Sequence, residues 1–301
     1  MAKPLRLALL QHACVEDPER NFATAATMIR DAAGQGATLI VTQELFKSRY
    51  FCVTEDPAAF DLAEPIPGPT TKALSELARE LGVSISASLF ERRAPGLYHN
   101  TSVLIAPDGE IAGKYRKMHI PDDPSYLEKY YFTPGDLGFT AHAIPLSPEE
   151  KNTSGGAAGN VGMLVCWDQW FPEAARLTAM QGADLLLYPT AIGWHTEDSP
   201  EDHAAQLDAW QTIQRSHAIA NGVFVAAANR VGREDVNHFW GHSFIADPMG
   251  RVLAQASADQ PEILTAELDL SKVETSRREW NLFFRDRRPD AYAGITDRWA
   301  T

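Results

Sequence analysis

Met163-Leu164-Val165-Cys166-Trp167-Asp168 closes an apolar run that begins at Gly159, and a helical pattern over Glu173–Gln181 follows it. A buried strand that delivers a cysteine at its carboxyl end and hands the chain to a helix is a building unit of open α/β sheets. The unit recurs along the chain. Leu5 to Gln11 reads as a buried strand, and from Asp17 to Gly34 the residues Phe22, Ala25, Ala26, Ile29 and Ala32 recur at helical spacing, with Gly34 as the stop. Thr38 to Thr42 is a second strand, Pro67-Gly68-Pro69 breaks the chain, a helix runs from about Thr70 to Leu81, and Val83 to Leu89 is a third strand. Beyond the cysteine, Leu185 to Tyr188 and Phe224 to Ala228 read as strands around a long helix over Glu201 to Ala220.

Two hairpins interrupt this alternation. Asn100–Ala106 and Ile111–Arg116 flank Pro107-Asp108-Gly109-Glu110, and His242–Ala246 and Val252–Ala256 flank Asp247-Pro248-Met249-Gly250. Pro121 to Gly138 and Ser147 to Gly159 have loop composition, the second as an exposed excursion. No linker or repeat divides the chain. The expectation is an α/β fold of two sheets packed face to face with helices outside, as one domain over residues 1–301.

Composition narrows the function classes. Of 301 residues, 45% are hydrophobic, enough for a full core, and no run approaches the ~20 apolar residues of a membrane span. Twenty-seven basic against forty acidic side chains leave a net charge of −13 with no basic stripe, which argues against nucleic acid as a partner. The first residues lead into a strand without a signal-peptide pattern, and the three cysteines, Cys14, Cys52 and Cys166, have no disulfide or CxxC spacing. A cytoplasmic protein with reduced thiols, no membrane association, no metal and no cofactor is expected. The nine histidines, His12 and His119 among them, show no metal-ligand spacing, and Gly34-Gln35-Gly36 lacks the setting of a phosphate loop.

Three side chains at strand ends can carry chemistry. Cys166 on a strand-to-helix turn suits a nucleophile, with the nearby helix N-terminus favouring its thiolate. Glu44, at the end of Thr38–Thr42, suits a general base. Lys117, at the end of Ile111–Arg116, suits an oxyanion stabiliser and proton donor. Each has a plainer reading: a core thiol, a surface glutamate, a solvated basic edge. Together they supply base, oxyanion stabiliser and nucleophile for acyl transfer beyond the carboxyl ends of sheet strands. Cys14 and Cys52 have no base beside them in sequence and read as core or near-surface thiols.

Gln43-Glu44-Leu45-Phe46, Lys114-Tyr115-Arg116-Lys117-Met118-His119-Ile120-Pro121 and Cys166-Trp167-Asp168-Gln169-Trp170-Phe171-Pro172-Glu173 together resemble the nitrilase superfamily of carbon–nitrogen hydrolases, in family order and over nearly the whole chain. The resemblance implies the α-β-β-α sandwich, a Glu44–Lys117–Cys166 triad and, in Tyr126-Leu127-Glu128-Lys129-Tyr130-Tyr131, a supporting carboxylate at Glu128. It also implies a homo-oligomer built from dimers, with a tail of about 281–301 around Arg287-Arg288 contacting another subunit.

Within the superfamily, the cysteine block extended to Arg176, His119-Ile120-Pro121-Asp122-Asp123-Pro124, Tyr131–Asp136 and Tyr188-Pro189-Thr190-Ala191-Ile192-Gly193 resemble the N-carbamoylputrescine amidase branch. That implies a small cationic ureido substrate. Trp167, directly after the cysteine, and Ala191 are then expected to line the pocket, and the backbone N–H of Trp167 to share the oxyanion with Lys117. Asp122 or Glu197 would hold the distal ammonium, with Tyr50 offering a hydroxyl or ring face. N-carbamoyl amino-acid or β-ureidopropionase-like amidases, general aliphatic amidases and a non-catalytic binding protein on this fold are the alternatives. Carboxylate-bearing substrates would call for pocket arginines. Lys47-Ser48-Arg49 departs from the smaller or acidic residues expected before Tyr50.

Overall fold

A computed structural model describes residues 4–145, 157–280 and 282–299. One six-stranded sheet has the order Glu262–Leu268, Leu5–Gln11, Leu39–Val41, Ser84–Ala94, Leu97–Ile105, Ile111–Arg116. The other has the order Val252–Gln255, Phe244–Ala246, Phe224–Asn229, Leu185–Thr190, Ala157–Met163, Ala141–Pro145.

Side-chain alternation along Leu5–Gln11 shows how the layers form. Leu7 and Leu9 enter one buried cluster with Met163, Leu185, Leu187 and Phe244 of the second sheet, whereas Ala8 and Leu10 meet Ala25, Ile29, Leu74 and Ala78 of two helices. Covered on both faces, the strand is apolar almost throughout, as its sequence is. The helix Pro18–Gly34 begins with Pro18 in its first turn and the Asp17 carboxylate accepting the Glu19 N–H. The helix Pro69–Leu81 ends at Gly82, whose φ of 66° is left-handed and favours glycine. The result is the expected sandwich of helices, sheet, sheet and helices.

The centres of both sheets are parallel: Leu5–Gln11 with Leu39–Val41 and Ser84–Ala94, and Ala157–Met163 with Leu185–Thr190 and Phe224–Asn229. Their carboxyl ends release Glu44, Cys166, Ala191 and Arg230 into adjoining loops. Both hairpins form as expected.

Several elements add to the sequence reading. Short strands Gly193–His195, Val231–Glu234 and Asn237–Trp240 make a three-stranded sheet beside the main pair. Ala141–Pro145, Glu262–Leu268 and the helix Ser271–Glu279 also escaped it. The strand before Cys166 ends at Met163, so Leu164 and Val165 already belong to the turn. Of the excursion expected over Ser147 to Gly159, residues 147–156 lie outside the described residues, and 157–159 are strand.

Candidate active site

Glu44, Lys117 and Glu128 are wholly buried and joined in one row. Lys117 Nζ donates to Glu44 Oε1 at 2.9 Å and to Glu128 Oε2 at 2.6 Å. Asn100 Nδ2 donates to the same Glu44 Oε1 at 2.7 Å, its own Oδ1 accepting from Ser88 Oγ. The Tyr50 hydroxyl donates to Glu128 Oε1 at 2.7 Å. The second Glu44 oxygen, Oε2, has no hydrogen-bond partner among the described residues. An ammonium carries three protons, and two of Lys117's have acceptors here, so one remains for a bound oxygen. Glu44, Lys117 and Glu128 therefore meet, with Glu128 on a short helical turn, Glu128–Tyr131.

Cys166 opens a 3₁₀ turn, Cys166–Trp170, with φ of 42°, left-handed for a residue that is not glycine. Asp168 holds this turn: Oδ2 accepts from the Val165 N–H at 3.0 Å and the Tyr115 hydroxyl at 2.8 Å, and Oδ1 stands 2.7 Å from the His119 ring. The His119 ring stacks on Phe171 with centroids 3.7 Å apart.

The expectation of a helix-stabilised thiolate does not hold. Burial pushes the Cys166 thiol well above its ordinary value, and Glu44 and Glu128 add to this against the opposing pull of Lys117 and a backbone hydrogen bond from Ala191. Burial disfavours the Lys117 ammonium, but Glu128 and Glu44 outweigh it and hold the amine charged. Burial raises the Glu128 carboxyl to about 7, with Glu44 adding to the rise and Lys117 opposing it. The centre thus combines a thiol whose ionisation burial opposes, a glutamate oxygen without a hydrogen-bond partner and a lysine held charged. Such a set can deprotonate a thiol during its attack on a carbonyl carbon and receive the resulting oxyanion.

A cavity of about 680 Å³ opens above Cys166, lined by Trp167, Trp170, Tyr126 and Ala191 among others. Trp167 and Ala191 therefore stand where expected. Glu197 lies at its rim beside Asp198 and Asp123. Asp122 does not line it; its exposed carboxylate is 3.9 Å from Lys129, and the adjacent Asp123 takes the lining position. Tyr50 is also displaced from its expected role, because its ring lies buried beside Tyr126 and Phe239 and its hydroxyl is spent on Glu128. Lys47 and Arg49 turn away from the cavity, Lys47 to Glu64 and Glu19 and Arg49 to Glu16 and Asp235.

Sequence reasoning missed the residues that fix the backbone. Asn229 grips Ile192 through its N–H and carbonyl and also donates to Gly241 O, steadying the Ala191 loop. Gly193 lies so close to the next strand that a Cβ would stand 2.3 Å from His238 O. The Tyr126 hydroxyl spans the Gly193 N–H and carbonyl. Among the described residues no cluster of three His, Cys, Asp or Glu side chains could hold a metal, and no helix is long and apolar enough to cross a membrane.

Residues 6–278 match the carbon–nitrogen hydrolase family. The chain belongs to that family. Known carbon–nitrogen hydrolases similar to it include the N-carbamoylputrescine amidase of Solanum lycopersicum, 43% identical over 97% of this chain and 96% of the relative. A citrullinase of Francisella tularensis is 39% identical over 98% and 99%. A crystal structure of a carbon–nitrogen hydrolase from Helicobacter pylori superposes with a TM-score of 0.91 at 45% identity, covering 99% of this chain and all of the other. The protein is a hydrolase of C–N bonds on the nitrilase fold.

Proposed function

We propose that the protein hydrolyses N-carbamoylputrescine to putrescine, carbon dioxide and ammonia, as in polyamine biosynthesis. The observation that carries this reading is the cavity lining. Asp123, Glu197 and Asp198 stand at its rim, and no lysine or arginine lines it among the described residues. A neutral ureido head reaches Cys166 and leaves an ammonium about four methylenes away, where a carboxylate offsets its desolvation. The similarity to N-carbamoylputrescine amidases supports the same substrate. Citrulline shares the ureido head but ends in a carboxylate beside its ammonium, as N-carbamoyl-β-alanine ends in a carboxylate alone, and this lining offers that group no cation.

In this reading Cys166 Sγ attacks the carbamoyl carbon while Glu44 Oε2 takes the thiol proton. The oxyanion receives the free Lys117 N–H and the Trp167 backbone N–H. Collapse expels ammonia, which takes the proton held by Glu44, and leaves the alkylcarbamoyl thiol ester on Cys166. Glu44 then deprotonates water for attack on that ester, returns the proton to sulfur, and releases an alkylcarbamate that decomposes to carbon dioxide and the diamine. Glu128 supports Lys117 and keeps it charged.

The protein works, in the same reading, as a cytoplasmic single-domain homo-oligomer built from dimers. Its three cysteines are unpaired and buried. The tail exposes Phe283, Tyr292, Ile295 and Trp299, apolar area suited to a second subunit. An ammonia-release panel tests the substrate: N-carbamoylputrescine should lead citrulline, N-carbamoyl-β-alanine, butylurea and an aliphatic amide. Equal rates on butylurea would replace this reading with a general amidase.

A further inference from the structure

Arg230 follows the central strand Phe224–Asn229 and is fully buried. Its guanidinium crosses to the loop that carries Glu44. Nη2 donates to the carbonyls of Glu44 at 3.1 Å and Leu45 at 3.0 Å, and Nη1 to that of Ser48 at 2.9 Å. Nη1 also reaches Glu234 Oε1 at 2.8 Å, and the other oxygen of Glu234 accepts the Tyr50 N–H at 2.6 Å. Between these anchors Leu45 has φ of 47°, a strained conformation for a leucine that persists only where its surroundings over-determine it. The pair therefore touches both carboxylates about Lys117 at one remove: Glu44 through its own backbone, Glu128 through Tyr50.

We propose that Arg230 and Glu234 are positioning residues that hold Glu44 Oε2 and the Tyr50–Glu128 bond in register with Lys117. A flat, five-donor guanidinium can serve three carbonyls and a carboxylate at once, which a lysine cannot. A second consequence is mechanical. Arg230 and Glu234 border the strand Val231–Glu234, whose small sheet includes Gly193–His195 on the cavity wall. The wall and the loop that carries Glu44 are thus tied to one another.

This role rests on the Glu44–Lys117–Cys166 chemistry proposed above, and the test keeps the two apart. Arg230→Lys and Glu234→Gln are compared with the parent in kcat, KM, the pH profile and labelling of Cys166 by iodoacetamide, which needs no substrate assignment. Lys47→Met, on the same loop but facing Glu64, is the control: it lowers Tm and leaves kcat per active site within about twofold. The positioning variants lose about tenfold or more in kcat with KM held within about threefold, since small misplacements of catalytic groups cost up to ~10². If Arg230→Lys does not fold, Glu234→Gln decides. A kcat per labelled Cys166 within about twofold of the parent, or a loss fully matched by fewer labelled sites, overturns the proposal.

Discussion

Replacing Glu44 by glutamine separates two effects of opposite sign. The carboxylate raises the Cys166 thiol and, in the proposed mechanism, accepts its proton. Glutamine keeps an oxygen for Lys117 and Asn100, so the row around the amine is preserved. With the thiol above its ordinary value of 9.0, free thiolate at about pH 7 is below roughly one part in a hundred. An enzyme without a base draws on that fraction, so turnover at neutral pH falls by at least ~10², or about 2.7 kcal/mol of barrier. Loss of the neighbouring negative charge acts the other way and lowers the thiol pKa. Iodoacetamide labelling of Cys166 should therefore fall less than turnover does. Ammonia release between about pH 6 and 10 is the assay: the variant rate should climb nearly tenfold per pH unit below its thiol pKa. A variant within about fivefold of parental kcat at neutral pH, or a loss independent of pH, would refute Glu44 as the base.

Lys117→Met removes the proposed oxyanion donor and the cation between Glu44 and Glu128. It should cost ~10²–10³ in kcat, read by the same ammonia assay, and should lower Tm as the buried acids lose their partner. Neutralising the rim with Asp123→Asn or Glu197→Gln should raise KM for N-carbamoylputrescine about tenfold in at least one case, ~1.4 kcal/mol, while leaving weak butylurea turnover unchanged. His12 is buried, and burial lowers its pKa from 6.5 to about 4. Its depressed value leaves stability intact above about 6.5, with up to about 3 kcal/mol lost progressively as pH falls from 6.5 to about 4, so Tm should drop over that window and drop less in His12→Gln.

Much of the candidate site is legible in the sequence because Glu44, Lys117 and Cys166 each follow a strand, and parallel strands send their carboxyl ends to one side. Glu44, Lys117 and Cys166 carry that signal. Arg230 does not. It lies 186 residues from the backbone it grips, and its role exists only once the two sheets are packed. Tyr50 shows the opposite error: the sequence marks an aromatic hydroxyl near the base, but not that the ring is turned inward. The small third sheet is silent for a different reason, since strands of three and four residues are too short for alternation to register. Asp122 and Asp123 differ by one position, and only backbone geometry decides which faces the cavity.

The upward shift of the Cys166 thiol has a consequence for oxidants and electrophiles. Peroxide and alkylating agents consume thiolates, and their rates follow the fraction ionised. Burial and the neighbouring Glu44 and Glu128 raise the Cys166 thiol, so if it is the nucleophile of the proposed mechanism it is stored in the less reactive form. An inhibitor aimed at it gains little from raw reactivity; it has to place a carbonyl-like carbon over sulfur and an oxygen against Lys117, so that the proton transfer which arms the sulfur takes place on the inhibitor itself.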